Sequence, residues 1–573
     1  MLYLILFYLL TTTVCLIWGI LFYELLANVV VKRNIAVYQI TGLITITGIA
    51  QIAALFTPLS LSFTLLLLLA TALLAIIFRK KLTTQILSLY TSFLSQKLLL
   101  YIYSIPLILT ILVINSGPTI MDDTDSYHIQ MIKWLHEYGT VPGIANLHLR
   151  YGFNSSWFIA ISVLSPASDQ INTYMMLNGL LSVWMGLYLL DKISTAVNSA
   201  NIAKSQHTIT ILVLYIVCLI CWPLLRGSAA NTNYDFITTC CIVILFTETI
   251  SAKDYRLRIE WLLWPAFLFT VRIINFPLML AGIPVIWNLL KQKQFRYATA
   301  YCCMVLFLIL PFITRNVLLS GYAFFPVYQF DVFSVDWKVN KQLAHNIVEF
   351  IKYFNRVSLE YMPLEETRKL SFPEWIFTWF RFRSTSEKVL ITIALFSYPA
   401  FMLKTLLRRD TVNKHILWIT IILWAQLIGW LLLAPDPRFA FGPLLCGIIL
   451  LLTLFPISFS NIFFTKLTQG TMLTIPACLL FYTTHKVITH VDYRNYIAPL
   501  SLPVPNTQTV TIDGIPCNIP DKQPNNWNAR CYGTMLPCLY RIMPGLHARG
   551  KDIKAGFRQE ETTQTPDDPY FWP

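Results

Sequence analysis

Residues 121–139 have the sequence "MDDTDSYHIQMIKWLHEYG". Three aspartates, Asp122, Asp123 and Asp125, lie within four positions, directly after a long apolar run. Behind them, apolar residues recur at helical spacing as far as Gly139, a residue type that favours the end of a helix. The pattern predicts a short amphipathic helix at a membrane interface, with an acidic cluster at its start.

The composition is that of a membrane protein. The 573-residue chain is 56% hydrophobic and only 13% charged, about half the charge of a typical soluble domain. Several apolar runs reach 18–22 residues, enough to cross about 30 Å of hydrocarbon as a helix. We expect the first run to be a span rather than a signal peptide, because it has no basic leader and no cleavage site. The predicted spans are 3–24, 36–56, 59–78, 98–116, 171–190, 208–225, 235–250, 297–314, 388–404, 416–433, 440–457 and 468–484.

Basic residues concentrate in alternate loops between these spans. The set that begins with 27–35 and 79–97 holds 19 Lys and Arg against four Asp and Glu. The positive-inside rule places that set in the cytoplasm. The net charge of +14 is then a consequence of topology and needs no nucleic-acid partner. The opposite loops, 117–170 and 315–387, are expected on the extracytoplasmic side, together with everything after residue 485.

One apolar block, residues 261–290, does not fit a simple span. As a single helix it would reach about 45 Å, too long for one crossing and too short for two. Both flanks are basic, so we predict a hairpin of two short helices that turns near Arg272. An arginine at that depth needs a partner, for which a phosphate would serve. The alternative is an arginine that extends to the outer surface.

The segment 485–573 differs in composition from the transmembrane module 1–484. It is rich in Pro, Asn and charge, which predicts a small, loop-rich extracytoplasmic region. Three of the twelve cysteines lie there, Cys517, Cys531 and Cys538. In an oxidising compartment one pair is expected to form a disulfide, with one thiol left over.

The acidic cluster has a structural and a functional interpretation. Asp122 or Asp123 at the N-cap would satisfy free backbone N–H groups at the helix start. Three acids exceed the need of a cap, and like charges this close raise one another's proton affinity. A general base, or a divalent cation such as Mg or Mn held by Asp123 and Asp125, would explain the crowding.

The next stretch, "VPGIANLHLRYGFNSSWF", indicates an ordered loop rather than a solvated connection. Asn146, His148, Arg150 and Asn154 alternate there with glycine and aromatic residues. We take these four as candidate substrate-binding residues. His148 and the earlier His128 are not at metal-ligand spacing, so each is expected to act through hydrogen bonds.

These residues carry a resemblance to a known superfamily. The stretch "DTDSYHIQMIKWLHEYGTVPGIANLHLRYGFNSSWF", residues 123–158, resembles the acidic first outer loop of the GT-C membrane glycosyltransferases. More narrowly, it is similar to a bacterial family of GT-C-like membrane proteins of uncharacterised activity. "NYDF" at 233–236, "RNVLLSGYAFFPVYQFDVFSVDWKV" at 315–339 and "PDPRFAFGP" at 435–443 are similar to the same family. The resemblance implies an all-α polytopic GT-C-like bundle of about 12–14 membrane helices, with an interfacial helix in the first large extracytoplasmic loop.

The resemblance also implies an activity. Such an enzyme takes a sugar from a polyprenyl-phosphate donor and transfers it to a glycan, lipid or protein acceptor on the outer side of the bacterial cytoplasmic membrane. By position, Asp123 matches the acidic residue of the first loop, and Asp122 and Asp125 flank it. Some members of the superfamily use a divalent metal and others do not.

The chemistry of such a reaction fits the layout of charged residues. A carboxylate at the membrane surface can accept the proton of the acceptor hydroxyl. Arg272, Arg315 and Arg438 lie at the outer ends of apolar segments, where their guanidinium groups can hold a phosphate. For Arg315 and Arg438 the alternative is interfacial anchoring, and Asp436 could pair with Arg438.

Two further candidates lie on the same side. Asp235 begins a predicted span, where it could orient the acceptor or cap the helix. Tyr322 lies in the loop 315–387 among aromatic and acidic residues that suit a sugar-binding face or a packed loop. This loop could also cover the donor.

Two alternative functions share part of this pattern. A lipid-linked polysaccharide polymerase or ligase would share the many spans and the outer site, but typically uses a late loop rich in Arg and His. A transporter or lipid flippase places ionisable groups near the midplane and often shows inverted repeats. Here the candidate groups gather towards one face, and no repeat is evident.

Overall fold

The computed structural model describes residues 1–26, 33–94, 98–165, 171–197, 202–251, 258–358, 361–407, 414–455, 461–521 and 530–560. The chain is mostly helical, with a few short strands near its end. Parts of the basic loops used to assign orientation lie outside the described residues.

The helices follow one another with short connections. Those before the acidic cluster are α1 (Leu2–Leu26), α2 (Ile35–Ala53), α3 (Leu61–Ile77), α4 (Arg79–Leu94) and α5 (Leu98–Asn115). Those in the middle are α6 (Ile129–Glu137), α7 (Ser156–Leu164), α8 (Met176–Val197), α9 (Ile202–Ile220), α10 (Leu225–Ser228), α11 (Asp235–Ser251), α12 (Glu260–Val271) and α13 (Ile283–Lys291). The remainder are α14 (Phe295–Ser320), α15 (Lys341–Arg356), α16 (Leu364–Lys369), α17 (Phe372–Arg381), α18 (Thr385–Leu407), α19 (Lys414–Leu433), α20 (Phe441–Leu454) and α21 (Asn461–Thr489).

Within the described residues, six helices are long and apolar enough to cross a membrane, or up to seven if the bent pair α3 and α4 forms one span. The six are α1, α2, the segment 273–291, α14, α18 and α19. The prediction of a largely helical chain with several candidate spans is confirmed. The described residues contain fewer helices of spanning length and apolar composition than the 12–14 expected. One reason is that some predicted spans form helices that are short. The predicted spans 235–250 and 440–457 form helices of 17 and 14 residues, below the roughly 20 that cross a bilayer without tilt or thinning.

Close helix packing begins with α1 and α2. A Cβ atom at Gly19 would lie 1.9 Å from the carbonyl oxygen of Tyr38, and one at Gly42 would lie 1.8 Å from that of Cys15. Glycine is therefore required at both positions for the backbones to approach this closely. Such small-residue contacts are typical of helices that associate without water.

The turn near Arg272 is confirmed. Helix α12 ends at Val271, Arg272 has extended backbone, and a 3-10 helix (Ile273–Gly282) leads into α13. This 3-10 helix packs back against α12. The first arm is short, with 12 residues, whereas the second arm, 273–291, has 19 and is itself a candidate span.

The acidic stretch forms a π-helix (Thr124–His128) that continues into α6. The predicted amphipathic helix is present, but both its faces are covered, since residues 129–136 are all buried. Its polar residues Gln130 and Lys133 donate hydrogen bonds to backbone carbonyls of residues 532–534. The capping role is wrong for Asp123, which precedes the π-helix without a side-chain capping bond.

The C-terminal region packs on this loop. It contains two antiparallel two-stranded sheets, β1 (Thr507–Ile512) with β2 (Ile515–Pro520), and β3 (Leu546–Ala548) with β4 (Phe557–Gln559). The predicted disulfide is present between Cys531 and Cys538, and Cys517 is a buried free thiol. The Phe557 N–H donates to the Pro142 carbonyl at 3.0 Å, so the region is part of the folded body.

Candidate functional site

A cavity open to solvent, with about 620 Å³ of space including its mouth, lies where the acidic stretch, the start of α11, the turn at Arg272 and the turn before α20 meet. Residues that are far apart in the sequence therefore share one space. Six of the predicted site residues line it: Asp123, His128, Arg150, Asp235, Arg272 and Arg438.

Asp123 is held between two arginines. Its Oδ2 accepts a hydrogen bond from Arg438 Nη1 at 2.9 Å, and its Oδ1 lies 3.3 Å from Arg150 Nη1. Burial alone would raise the pKa of this carboxyl, but the charges of Arg438 and Arg150 outweigh burial and hold the pKa at about 2. Asp123 is therefore ionised in the resting protein, with both oxygens engaged.

Arg438 lies in the short 3-10 turn Pro437–Phe439 that connects α19 and α20. The predicted pairing with Asp436 is confirmed, with 3.0 Å between Arg438 Nε and Asp436 Oδ2. Burial opposes the charge of Arg438, yet the carboxylates of Asp436 and Asp123 raise its pKa above the ordinary value. The guanidinium thus joins the turn to the acidic stretch.

A second ion pair lies in the same cavity. Arg272 Nη1 is 2.6 Å from Asp235 Oδ1, and its guanidinium stacks 3.3 Å above the ring centre of Phe439. The start of α11 is capped by Asn233, whose side-chain oxygen accepts from the Asp235 N–H at 2.8 Å. The Asp235 carboxylate is therefore free of a capping role and faces Arg272, which lies in the bundle and not on its outer surface.

His128 is a buried, neutral member of the cavity wall. Its Nδ1 lies 2.9 Å from Thr232 Oγ1, and Thr232 in turn donates to Thr124 Oγ1 at 3.1 Å. Burial lowers the pKa of His128 to about 3, although the Asp123 carboxylate acts in the opposite direction. The expectation that His128 acts through hydrogen bonds is confirmed.

A further part of the cavity lining is apolar, and none of its residues was singled out in the sequence. Helix α15 contributes its apolar face, namely Ile347, Phe350, Ile351 and Phe354, and also Asn355. These residues recur at helical spacing, so the sequence of 341–356 alone would have predicted an amphipathic helix there. Tyr127, Tyr234 and Phe439 also line the cavity and lacked a local signal of function.

The other two aspartates face elsewhere. Asp122 is 72% exposed and forms an ion pair with Arg530 of the C-terminal region. Asp125 is buried, accepts from Thr119 Oγ1 at 2.6 Å and lies 3.8 Å from Arg530. Burial raises the pKa of Asp125 to about 6, against the hydrogen bond from Thr119 and the charge of Arg530.

A divalent cation held by Asp123 and Asp125 does not fit this arrangement. The oxygens of Asp123 are occupied by guanidinium groups, and Asp125 points away towards Thr119. Among the described residues there is also no group of three or more His, Cys, Asp or Glu side chains that could hold a metal.

Two loop candidates stabilise the wall from behind. Asn146 donates to the carbonyls of Trp337 and Phe557, at 2.9 and 3.3 Å. His148 accepts from the Arg150 N–H at 3.1 Å and so fixes the backbone that carries this arginine. Neither Asn146 nor His148 lines the cavity.

The remaining three candidates are buried in the packing. The Arg315 guanidinium donates to the Asn154 side-chain oxygen, and Asn154 donates to the Phe312 carbonyl at 3.0 Å. The Tyr322 hydroxyl donates to the Val339 carbonyl at 3.0 Å. None of the three lines the cavity, so the structure does not bring Arg315 together with Arg272 and Arg438.

Comparison with known proteins gives one result. No curated protein and no solved structure matches the chain. A family match covers residues 1–445, which include the six predicted residues of the cavity. Since the match extends over more than half of the sequence, the chain belongs to the family described as "Domain of unknown function (DUF8201)".

Proposed function

We propose that this protein is an integral-membrane glycosyltransferase that moves a sugar from a polyprenyl-phosphate donor to an acceptor on the extracytoplasmic face. The observation that carries the proposal is the cavity in which the Asp123 carboxylate lies between the guanidinium groups of Arg150 and Arg438, and which the apolar face of α15 also lines. The polar and apolar walls together match a phosphate attached to a lipid.

The guanidinium groups of the lining favour an anion. Arg150, Arg272 and Arg438 line the cavity with Asp123 and Asp235, while Asp436, which lies 3.0 Å from Arg438, is not a lining residue. Guanidinium groups bind phosphate through two parallel hydrogen bonds. An entering phosphate would compete with Asp123 for the donors of Arg438 and Arg150.

Competition between the phosphate and Asp123 for the arginines raises the proton affinity of the Asp123 carboxylate. A carboxyl with a pKa of about 2 is a weak base. When the phosphate of the donor draws the guanidinium groups away, the carboxylate loses positive neighbours and its proton affinity rises. The same event delivers the leaving group to the arginines and prepares the base.

In the proposed reaction one bond forms and one breaks at the anomeric carbon of the sugar. The acceptor hydroxyl oxygen attacks the anomeric carbon, and the bond between that carbon and the phosphate oxygen breaks. The hydroxyl proton passes to the Asp123 carboxylate. Polyprenyl phosphate leaves with the bonding electron pair, held by Arg438, Arg150 and Arg272.

The test is a reconstitution in lipid nanodiscs with a panel of polyprenyl-phosphate sugars, in which release of polyprenyl phosphate is measured. We expect wild type and Glu365→Gln to consume one donor, and Asp123→Asn to be at least about 100-fold slower. Glu365→Gln is the control, because it neutralises an exposed carboxylate in α16 that does not line the cavity. Consumption of no donor by the folded wild type, or equal rates for Asp123→Asn, would contradict the proposal.

A further inference from the structure

The C-terminal region holds the acidic stretch through contacts that span about 400 residues of sequence. The Tyr532 N–H donates to the Asp125 carbonyl at 2.7 Å. Gln130 donates to the carbonyls of Tyr532 and Thr534, each at 2.9 Å, and Lys133 donates to that of Gly533 at 2.8 Å. The polar face of α6 is therefore bonded to one short loop.

A disulfide closes that loop, and an arginine precedes it. The loop is residues 531–538, joined at its ends by the Cys531–Cys538 bond. Tyr151, which follows Arg150, donates its hydroxyl to the Cys538 carbonyl at 2.8 Å. The loop thus contacts both the helix after Asp123 and the residue next to Arg150.

Arg530 lies between the two aspartates that face away from the cavity. It pairs with Asp122 and lies 3.8 Å from Asp125, while Asp123 between them faces Arg438. Three carboxylates in four positions repel one another. Arg530 therefore holds Asp122 and Asp125 on one side of the stretch. Arg438 and Arg150 hold Asp123 on the other side.

The region that supplies this cation lies outside the family match. The match ends at residue 445, and the residues that line the cavity all precede that position. Residues 530–560 contribute no lining residue. Any effect of Arg530 on the cavity is then indirect, through the acidic stretch or through the contact of the loop 531–538 with Tyr151.

We propose that Arg530 is a positioning residue: together with the loop 531–538 it fixes the acidic stretch so that Asp123 faces Arg438 and Arg150. The affinity of the cavity for a lipid phosphate then depends on a segment that does not touch it. The identity of the ligand as a lipid phosphate rests on the proposed function, whereas the role of Arg530 in fixing the acidic stretch does not.

The experiment compares three variants of the full chain in nanodiscs. Arg530→Gln removes the charge, and Arg530→Lys keeps it. Arg558→Gln is the matched control, because it removes a charge from the same region at an exposed pair with Glu560, away from the acidic stretch. The first measurement is hydrogen exchange of amides in residues 122–137. The second is the binding of a polyprenyl phosphate.

We expect Arg530→Gln to raise exchange within 122–137 by about 10-fold, as loss of a charged hydrogen bond would, and to weaken polyprenyl phosphate binding. Arg530→Lys should restore most of both properties, and Arg558→Gln should match wild type. Unchanged exchange in Arg530→Gln, or a rise spread evenly over the whole chain, would overturn the positioning role.

The two measurements separate this inference from the proposed function. If wild type binds no polyprenyl phosphate, the proposed ligand is wrong, and the exchange result still decides the role of Arg530. If wild type binds it and Arg530→Gln shows faster local exchange with unchanged affinity, the link from Arg530 to the cavity is wrong while the ligand stands.

Discussion

Arg438 Nη1 lies 2.9 Å from Asp123 Oδ2, although 315 residues separate them in the chain. This bond joins two segments that line the cavity, the acidic stretch and the turn before α20. It also sets the resting charge state, because it helps to keep the Asp123 pKa at about 2. A ligand that enters must therefore be a better partner for Arg438 than a carboxylate is.

Loss of the Arg438 charge should weaken phosphate binding more than replacement of Arg438 by lysine does. We expect Arg438→Gln to lower the affinity for polyprenyl phosphate by about 10- to 100-fold, the usual effect of losing a charged hydrogen bond. Arg438→Lys should fall between this variant and wild type, since lysine keeps the charge but lacks the planar fork. Arg296→Gln, at an exposed position outside the cavity, is the control. Equal affinity in all four proteins, measured by titration in nanodiscs, would exclude Arg438 from the site.

Asp123→Asn should separate binding from catalysis. The variant loses the base and also the carboxylate that competes for the arginines. We therefore expect kcat to fall by about 100-fold or more, while polyprenyl phosphate binds more tightly than to wild type. The measurement is turnover together with product inhibition. Weaker product binding in this variant would show that Asp123 positions the arginines for the ligand instead of competing with it.

Asp125 should make stability depend on pH. Its folded pKa is raised to about 6 from an ordinary value near 3.8, so its contribution is present below pH 4 and is lost as pH rises through 6. At about 1.4 kcal/mol per unit, the change amounts to about 3 kcal/mol at most. Asp123 has the opposite sign, because its lowered pKa gives stability above about pH 4 that is lost towards pH 2.

The comparison that isolates Asp125 is wild type against Asp125→Asn. We expect the apparent Tm of wild type to drop relative to the variant between about pH 4 and pH 6. Parallel Tm curves for the two proteins over this range would contradict the raised pKa.

The apolar wall of the cavity should contribute to donor binding. Phe354→Ala removes a ring that lines the cavity, and burial of a phenylalanine side chain contributes about 1.5–3 kcal/mol. We expect KM for the lipid-linked donor to rise about 10-fold with little change in kcat. Phe377→Ala removes the same side chain from α17, where it is 73% exposed and does not line the cavity. Equal KM values for the two variants would argue against the role of α15.

The disulfide should stabilise the C-terminal region locally. The paired variant Cys531→Ser with Cys538→Ser loses a cross-link of a kind that typically contributes about 2–4 kcal/mol. We expect faster hydrogen exchange in residues 530–560 and little change in the distant helices α1 and α2. Exchange as slow as in wild type would show that the hydrogen bonds to Gln130 and Lys133 suffice.

The sequence predicted the helical membrane character and the turn at Arg272, because hydropathy and flanking charge act locally. It also identified six residues of the cavity. It could not choose among Asp122, Asp123 and Asp125, since successive residues of a helical turn point in directions about 100° apart. Only the partners decide, and Arg438 and Arg530 come from distant parts of the chain.

Other candidates failed to reach the cavity for a similar reason. Arg315 follows an apolar run just as Arg272 does, but it lies next to Asn154 in the packing. Tyr322 donates to the Val339 carbonyl, and Asn146 donates to the Trp337 carbonyl. Hydrogen bonds from side chains to backbone carbonyls have no recognisable sequence pattern. The apolar wall of α15 had a visible pattern, but its amphipathic face is equally typical of a helix on the membrane surface.

The contact of Phe557 with Pro142 has a consequence for biosynthesis. Ribosomes make a chain from its N-terminus, and early segments can fold before late ones exist. Residues 530–560 are made after the family-matched part, so their hydrogen bonds to the acidic stretch form only after residues 1–445 exist. A truncated product that ends before residue 530 would carry every residue that lines the cavity and yet lack the hydrogen bonds from Gln130 and Lys133 to residues 532–534.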